Sequence, residues 1–174
     1  SFYNGTNKKN ISPTPVIGGI GLISKFNNQT SHQFKKENNH ILIVGKTFGH
    51  LGQSAFLEEV YSINEGQPPE VNLINEKNNG DCILDIINKG LLCSLHDISS
   101  GGMILTLAEM SMGTNYGVKI NKPKKLSNLY EYLFGEDQSR YVLEIEEENL
   151  TKVEKMLKNN NIFYEIIGVT QKNY

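Results

Sequence analysis

A chain of 174 residues with 38% hydrophobic residues can bury one ordinary core, or form one domain plus a piece of another. Its formal net charge of −2 and pI ≈ 6.1 exclude a basic nucleic-acid-binding surface, and its lysine pairs (Lys8-Lys9, Lys35-Lys36, Lys124-Lys125) are short and scattered. No signal peptide and no apolar run long enough to cross a bilayer is present, so neither membrane nor nucleic acid is expected as a partner.

Residues 1–12 are polar and turn-rich and open without an initiator methionine, which reads as a cut through a longer protein. Val16 to Ile23, β-branched and bearing Gly18, Gly19 and Gly21, is expected as a strand with close backbone approach. No helix follows it, so these glycines do not make a dinucleotide fingerprint. Ser24 to Asn39 is a polar loop in which His32 is a surface residue. His40 to Gly45 is a strand, Lys46 to Ser54 a glycine-bearing turn, and Ala55 to Ile63 a helix with Phe56, Val60 and Ile63 on its apolar face. His50, within the turn, is expected to be exposed. Beyond the Gly66–Pro69 break, Glu70–Glu76 and Gly80–Asn88 read as helical pieces around a polar joint at Lys77-Asn-Asn79, with Gly90 as C-cap.

Leu91 to Leu95 fits a buried strand, and Met103 to Met112 a helix with Ile104, Leu107, Ala108 and Ser111 on one face. Between them lies His96-Asp-Ile-Ser-Ser-Gly-Gly102. Ser99 or Ser100 is placed to cap the helix. A short strand follows at Gly117–Ile120, then a connector over 122–127 and a helix at Asn128–Phe134. Tyr141–Ile145 alternates as a strand, Glu146–Asn160 is helical with Leu150, Val153, Met156 and Leu157 in line, and Ile162–Val169 closes as a strand. Strands interleaved with helices predict a layered α/β domain with a largely mixed sheet.

Two turns, at Gly49, Gly52 and Ser54 and at Gly101 and Gly102, each follow a strand and precede a helix. That arrangement presents backbone N–H groups to an anion at the carboxyl ends of strands. Tight packing explains the glycines equally well, and helix capping explains Asp97 and the serines. Arg140 is the only arginine in a lysine-using chain and sits in Phe-Gly-Glu-Asp-Gln-Ser-Arg, where lysine cannot reproduce a planar fork of donors. It fits either an internal clamp on Glu136 or Asp137, or a phosphate ligand. Cys82 and Cys93 lie in apolar runs without metal-ligand spacing and are expected as packed thiols in a reducing cytoplasm.

Five segments stand in order: Ser1-Phe-Tyr-Asn4, Pro13-Thr-Pro-Val-Ile-Gly18, Gly45-Lys-Thr-Phe-Gly-His-Leu-Gly-Gln-Ser54, His96-Asp-Ile-Ser-Ser-Gly-Gly102 with Ala108-Glu-Met110, and Phe134-Gly-Glu-Asp-Gln-Ser-Arg140. Together they resemble the C-terminal half of phosphoribosylformylglycinamidine synthase subunit II, of the aminoimidazole ribonucleotide synthetase-like superfamily. The resemblance implies that residues 1–23 end a second A domain and that residues 24–174 are a second B domain, truncated at its C-terminus, with a mixed sheet in an α/β/α layering.

The implied parent reaction is the ATP-dependent conversion of formylglycinamide ribonucleotide to its amidine in purine biosynthesis, with magnesium serving the ATP. Ammonia comes from a separate glutaminase subunit, and a small accessory subunit completes the complex. Ser1 matches a substrate-contacting serine. By pseudo-symmetry with the first B domain, Asp97 matches a magnesium-binding turn and Glu136-Asp137-Gln138 a substrate-contacting segment. Arg140 is grouped with that substrate segment, and Gly49, Gly52, Ser54, Gly101 and Gly102 with phosphate. A magnesium-bridged phosphate suits Asp97 better than bare phosphate, since the side chain is itself negative. The family's catalytic histidine belongs to a segment with no counterpart here, so the fragment alone is expected to be inactive. A non-catalytic interface domain, aminoimidazole ribonucleotide synthetase, selenophosphate synthetase and thiamine-monophosphate kinase are the alternatives.

Overall fold

A computed structural model describes residues 5–6, 9–10, 17–23, 29–121, 123 and 128–172. In chain order the elements are β1 (Gly5–Thr6), β2 (Lys9–Asn10), β3 (His40–Val44), α1 (Ala55–Tyr61), α2 (Leu73–Asn88), β4 (Ser94–Asp97), α3 (Gly102–Ser111), β5 (Tyr116–Ile120), α4 (Leu129–Phe134), β6 (Tyr141–Ile145), α5 (Glu147–Asn159) and β7 (Tyr164–Lys172). Strands β1 and β2 pair with each other; the other five form one sheet in the order β4-β6-β3-β7-β5.

Side chains alternate across the sheet, as the two-residue period of a strand requires. Leu42, Val44, Leu143 and Ile145 face one layer, made by Cys82, Ile83 and Ile86 of α2 with Val153 and Leu157 of α5. Ile41, Ile43, Val142 and Ile167 face the other, made by Phe34 and by Met103, Leu107 and Met110 of α3, with Tyr132 and Leu133 of α4 at its margin. The α/β/α layering is therefore as the sequence implies.

The sheet is not mixed. Every strand pair is antiparallel. Two helical crossovers, β3 to β4 and β6 to β7, join parallel strands that lie two places apart. Strands β3 and β4 both pair antiparallel with β6, and β6 and β7 both pair antiparallel with β3. The place each crossover skips is filled by a strand running the other way, a split strand–helix–strand pattern. One consequence positions the site: β3 and β4 end together. Val44 and Asp97 both pair with Tyr141, the first residue of β6.

Four local expectations shift. Residues 17–23 form no strand, and Val16 lies outside the described residues. Ile17, Ile20 and Leu22 are almost wholly exposed, and a Cβ added at Gly18, Gly19 or Gly21 would meet nothing within 4 Å among the described residues. Helix α2 runs unbroken through Lys77-Asn-Asn79, because Asn79 is buried and its amide bonds to Ser139 instead of interrupting the turn. Its N-cap is Asn72, which accepts from the N–H groups of Ile74 and Asn75, and Gly90 takes the left-handed conformation just past its end. Helix α3 is rotated from the expected face: Met103, Thr106, Leu107 and Met110 point inward while Ala108 is exposed. On α1, Phe56 alone is buried, stacked on Phe134 at 4.5 Å; Val60 and Ile63 are exposed.

Candidate functional site

Three loops meet at the end of the sheet where β3 and β4 finish and β6 begins: 45–54, 98–101 and 135–140. They are held together chiefly by two carboxylates of the third loop. Asp137 is buried, and its carboxylate accepts from three successive backbone N–H groups: Phe48 and Gly49 at 2.9 Å to Oδ2 and His50 at 3.2 Å to Oδ1. The Oε1 of Glu136 accepts from Ala55, the first residue of α1, and from Gly101, the N-cap of α3, each at 2.8 Å. A negative charge at these donors is favoured by the orphan amides of the helix starts. The Glu136 main-chain N–H donates to His50 O at 2.9 Å, closing the first loop against the third.

Arg140 ties the third loop from below. Its side chain is fully buried. Nε donates to Asp137 O at 3.0 Å, NH1 to Thr47 Oγ1 at 3.2 Å and NH2 to Gly135 O. Its nearest Asp137 carboxylate oxygen stands at 3.9 Å, so the clamp inferred from sequence is mainly to carbonyls and a hydroxyl rather than to a carboxylate. Burial lowers the guanidinium pKa, while the Asp137 and Glu136 charges act against that shift. Arg140, grouped with substrate in the sequence, is not presented to solvent; its donors are spent on the fold.

The glycines serve this closure. Gly49 has φ +82°, and a Cβ on it would meet Glu131 Cβ at 2.6 Å. Gly102 has φ +69°, and a Cβ there would lie 2.6 Å from the Phe134 carbonyl carbon, so glycine lets α3 start against the end of α4. Gly52 has the Gln67 carbonyl where a Cβ would stand. Ser54 is buried and caps α1 by accepting from Leu57 N–H at 3.3 Å. Gly101, not Ser99 or Ser100, is the N-cap of α3, without a side-chain cap; the cap donor goes to Glu136. Of the five positions grouped with phosphate, Gly49 and Gly101 thus give their N–H groups to the chain's own carboxylates, and Gly102 N–H donates to Ser99 O at 3.1 Å.

Asp97 remains outward. Its side chain is about two-thirds exposed, with His96 Nδ1 at 3.1 Å from Oδ1; the other ring nitrogen of His96 lies 3.4 Å from Glu109. The His32 ring approaches His96 edge-on at 5.5 Å, and His50 is half-buried with Nε2 2.7 Å from Gln67 O. Asp97 borders a small polar hollow of about 230 Å³ with Glu76, Ser99, Gln138, Ser139 and Tyr141. Burial, then Glu76 and Asp97, raise the Tyr141 pKa. Glu76 and Asn79 escaped sequence reading because both were assigned to a helix end and a joint; the polar side chains clustered in an otherwise amphipathic run were their only signal. Among the described residues no group of three or more histidine, cysteine or acidic side chains is arranged for a metal. Two carboxylates beside one hollow match the sparse protein ligation of magnesium, which takes its other oxygens from water and phosphate. Ser1 lies outside the described residues.

A second cleft, of about 650 Å³, opens beside the Asp137 contacts and is lined by Phe48, Gly49, His50, Glu131, Asp137 and Gln138 among others. Away from this end, both cysteines are free; burial raises their thiol pKa values, that of Cys93 to about 11.

In sequence and in fold the chain is similar to known proteins. The chain is 43% identical over 173 residues to "Phosphoribosylformylglycinamidine synthase subunit PurL" of Pelagibacter ubique, covering 99% of this chain and 24% of that protein. The protein of the same name from Nitrobacter winogradskyi is 41% identical over 170 residues, or 98% of this chain and 23% of that one. The chain thus spans about a quarter of the length of these relatives. T. maritima PurL superposes with a TM-score of 0.64 in its complex with ATP and 0.68 in its complex with FGAR, at 16% and 15% identity; 85% and 84% of this chain are covered, and 24% and 26% of those chains. It superposes equally, at TM-score 0.63 and 17% identity, in the structure of PurLQS from Thermotoga maritima, over 86% of this chain and 24% of that one. The family described as "AIR synthase related protein, C-terminal domain" matches residues 36–173, and the chain belongs to that family.

Proposed function

We propose that this chain is a fragment of a phosphoribosylformylglycinamidine synthase subunit, an ATP-dependent, amidine-forming carbon–nitrogen ligase, made of its second B domain and the end of the A domain before it. The observation that carries the proposal is 43% identity sustained over 99% of the chain to one such subunit. Residues 1–23 belong on this reading to a preceding A domain and residues 24–174 to the B domain. The parent takes formylglycinamide ribonucleotide, ATP, magnesium and ammonia, works in the cytoplasm, and assembles with a glutaminase subunit and a small accessory subunit. In support, T. maritima PurL has been seen in complex with ATP, with FGAR and within PurLQS.

The amide oxygen of the substrate is activated by phosphoryl transfer and displaced by ammonia. Such chemistry needs donors arrayed around the transferred phosphoryl group. In this chain, Glu136, Asp137 and Arg140 orient the loops and Gln138, being exposed, faces any ligand that docks there. Asp97, with Glu76, is the place for a magnesium ion, which when bound would offset phosphate charge. The chain alone is inactive, since it spans only about a quarter of the length of the relatives that it matches and most donors around the transferred phosphoryl group belong to the rest. The test compares two proteins. The polypeptide of the complete reading frame should form ADP only when formylglycinamide ribonucleotide and ammonia are both present, and the 174-residue chain should not. ADP formation driven instead by selenide, or by formylglycinamidine ribonucleotide, would assign the parent to another enzyme of the superfamily.

A further inference from the structure

We propose that Asp137 is a built-in anion: its carboxylate occupies a phosphate-type cradle in the 45–54 turn and closes it. This inference does not depend on the ligase assignment. Three consecutive N–H groups, of Phe48, Gly49 and His50, converge on one point, the concavity by which main chain captures anions. The point is filled by both oxygens of Asp137, at 2.9, 2.9 and 3.2 Å. The occupant is held from both sides. Its own carbonyl takes Arg140 Nε at 3.0 Å, and the preceding residue donates its main-chain N–H to His50 O.

The cradle adjoins the 650 Å³ cleft, whose wall includes Gly49, His50, Asp137 and Gln138. Room for a tetrahedral anion therefore exists once the carboxylate is gone. While the carboxylate is present, a phosphate must either evict a buried, triply bonded charge or sit against it, and like charges at that range oppose binding. Asp137 thus does for this turn what a bound phosphate does elsewhere: it collects the N–H groups and orders the loop.

The experiment is a titration with inorganic phosphate, matched against chloride at equal ionic strength, followed on backbone amide resonances and by thermal unfolding. In the wild-type chain the Phe48, Gly49 and His50 amides should stay in place. In Asp137→Ala the unfolding midpoint should fall, phosphate and not chloride should restore at least half of the loss, and the three amides should move saturably. In Asp137→Asn the side chain still fills the cradle, so stability should fall without a phosphate response. A saturable shift of the Gly49 amide in the wild-type chain overturns the proposal, and this arm holds even if the alanine variant does not fold. Equal effects of phosphate and chloride on a folded Asp137→Ala overturn it as well.

Discussion

Replacing Arg140 with lysine keeps the charge and removes the fork. The guanidinium makes three hydrogen bonds, to Thr47 Oγ1, Gly135 O and Asp137 O, from a fully buried position. A lysine ammonium sits at the end of its stem and has no counterpart to Nε, so the bond to Asp137 O is lost and one other weakens. Hydrogen bonds from charged groups are worth roughly 1.5–3 kcal/mol each, and a buried acceptor left without a donor adds its own desolvation cost. Some relaxation is expected, so Arg140→Lys should cost about 2–4 kcal/mol. Arg140→Met also removes the charge beside Asp137 and should cost about 3–5 kcal/mol, the scale for breaking a buried pair. Equilibrium urea denaturation reads both. With a slope of about 2 kcal/mol per molar, the lysine variant should unfold at a midpoint about 1–2 M lower, with the slope unchanged. A midpoint equal to that of the wild type would mean that Arg140 does not hold the 135–140 loop.

Glu144 is wholly buried on β6 and accepts from Lys35 and Lys36 N–H, Asn39 Nδ2 and Ser94 Oγ. Glu144→Gln turns an amide group toward these donors and should cost about 2–4 kcal/mol, read as a clear fall in the thermal midpoint; an unchanged midpoint would mean that these bonds to the Glu144 carboxylate do not stabilise the fold. The Cys93 thiol, pushed up to about 11 by burial and then by Glu144, should react with iodoacetamide far more slowly than glutathione at pH 8.5. The unfolded thiol ionises near pH 8.5 and the folded one only near 11, so Cys93 contributes stability below pH 8.5 that fades as pH rises toward 11. A Cys93→Ala variant should lack that component of the alkaline decline.

Much of the fold is legible locally. Tyr141–Ile145 carries its strand period, Asn128 and Ser54 mark helix starts, and Leu150, Val153 and Leu157 mark a buried stripe; each element appears close to where its pattern lies. The sheet's antiparallel order is not legible, because a crossover gives direction but not how many places it skips. Residues 17–23 show the converse. A β-branched run states a preference, and without a partner ladder among the described residues it stays unpaired. At the site, sequence locates the turns but not the carboxylates that accept from them. The partners of Glu136 and Asp137 lie 35 to 89 positions away along the chain, beyond any local period. A glycine that admits a phosphate and a glycine that admits a neighbouring helix read alike in sequence. Arg140 is the informative exception: its chemical singularity pointed to a role, and burial decides which one.

Backbone hydrogen exchange is the most direct probe of the claim that the chain's own carboxylates bind these loops together. In the wild-type chain the amides of Phe48, Gly49, Ala55 and Gly101, all in or beside loops, should be protected nearly as well as those of the central strand His40–Val44. Glu136→Gln should speed exchange at Ala55 and Gly101 together, although they are far apart in sequence, and leave Phe48 and Gly49 much less affected. Exchange at ordinary loop rates in the wild type, or an unchanged pattern in Glu136→Gln, would contradict that claim.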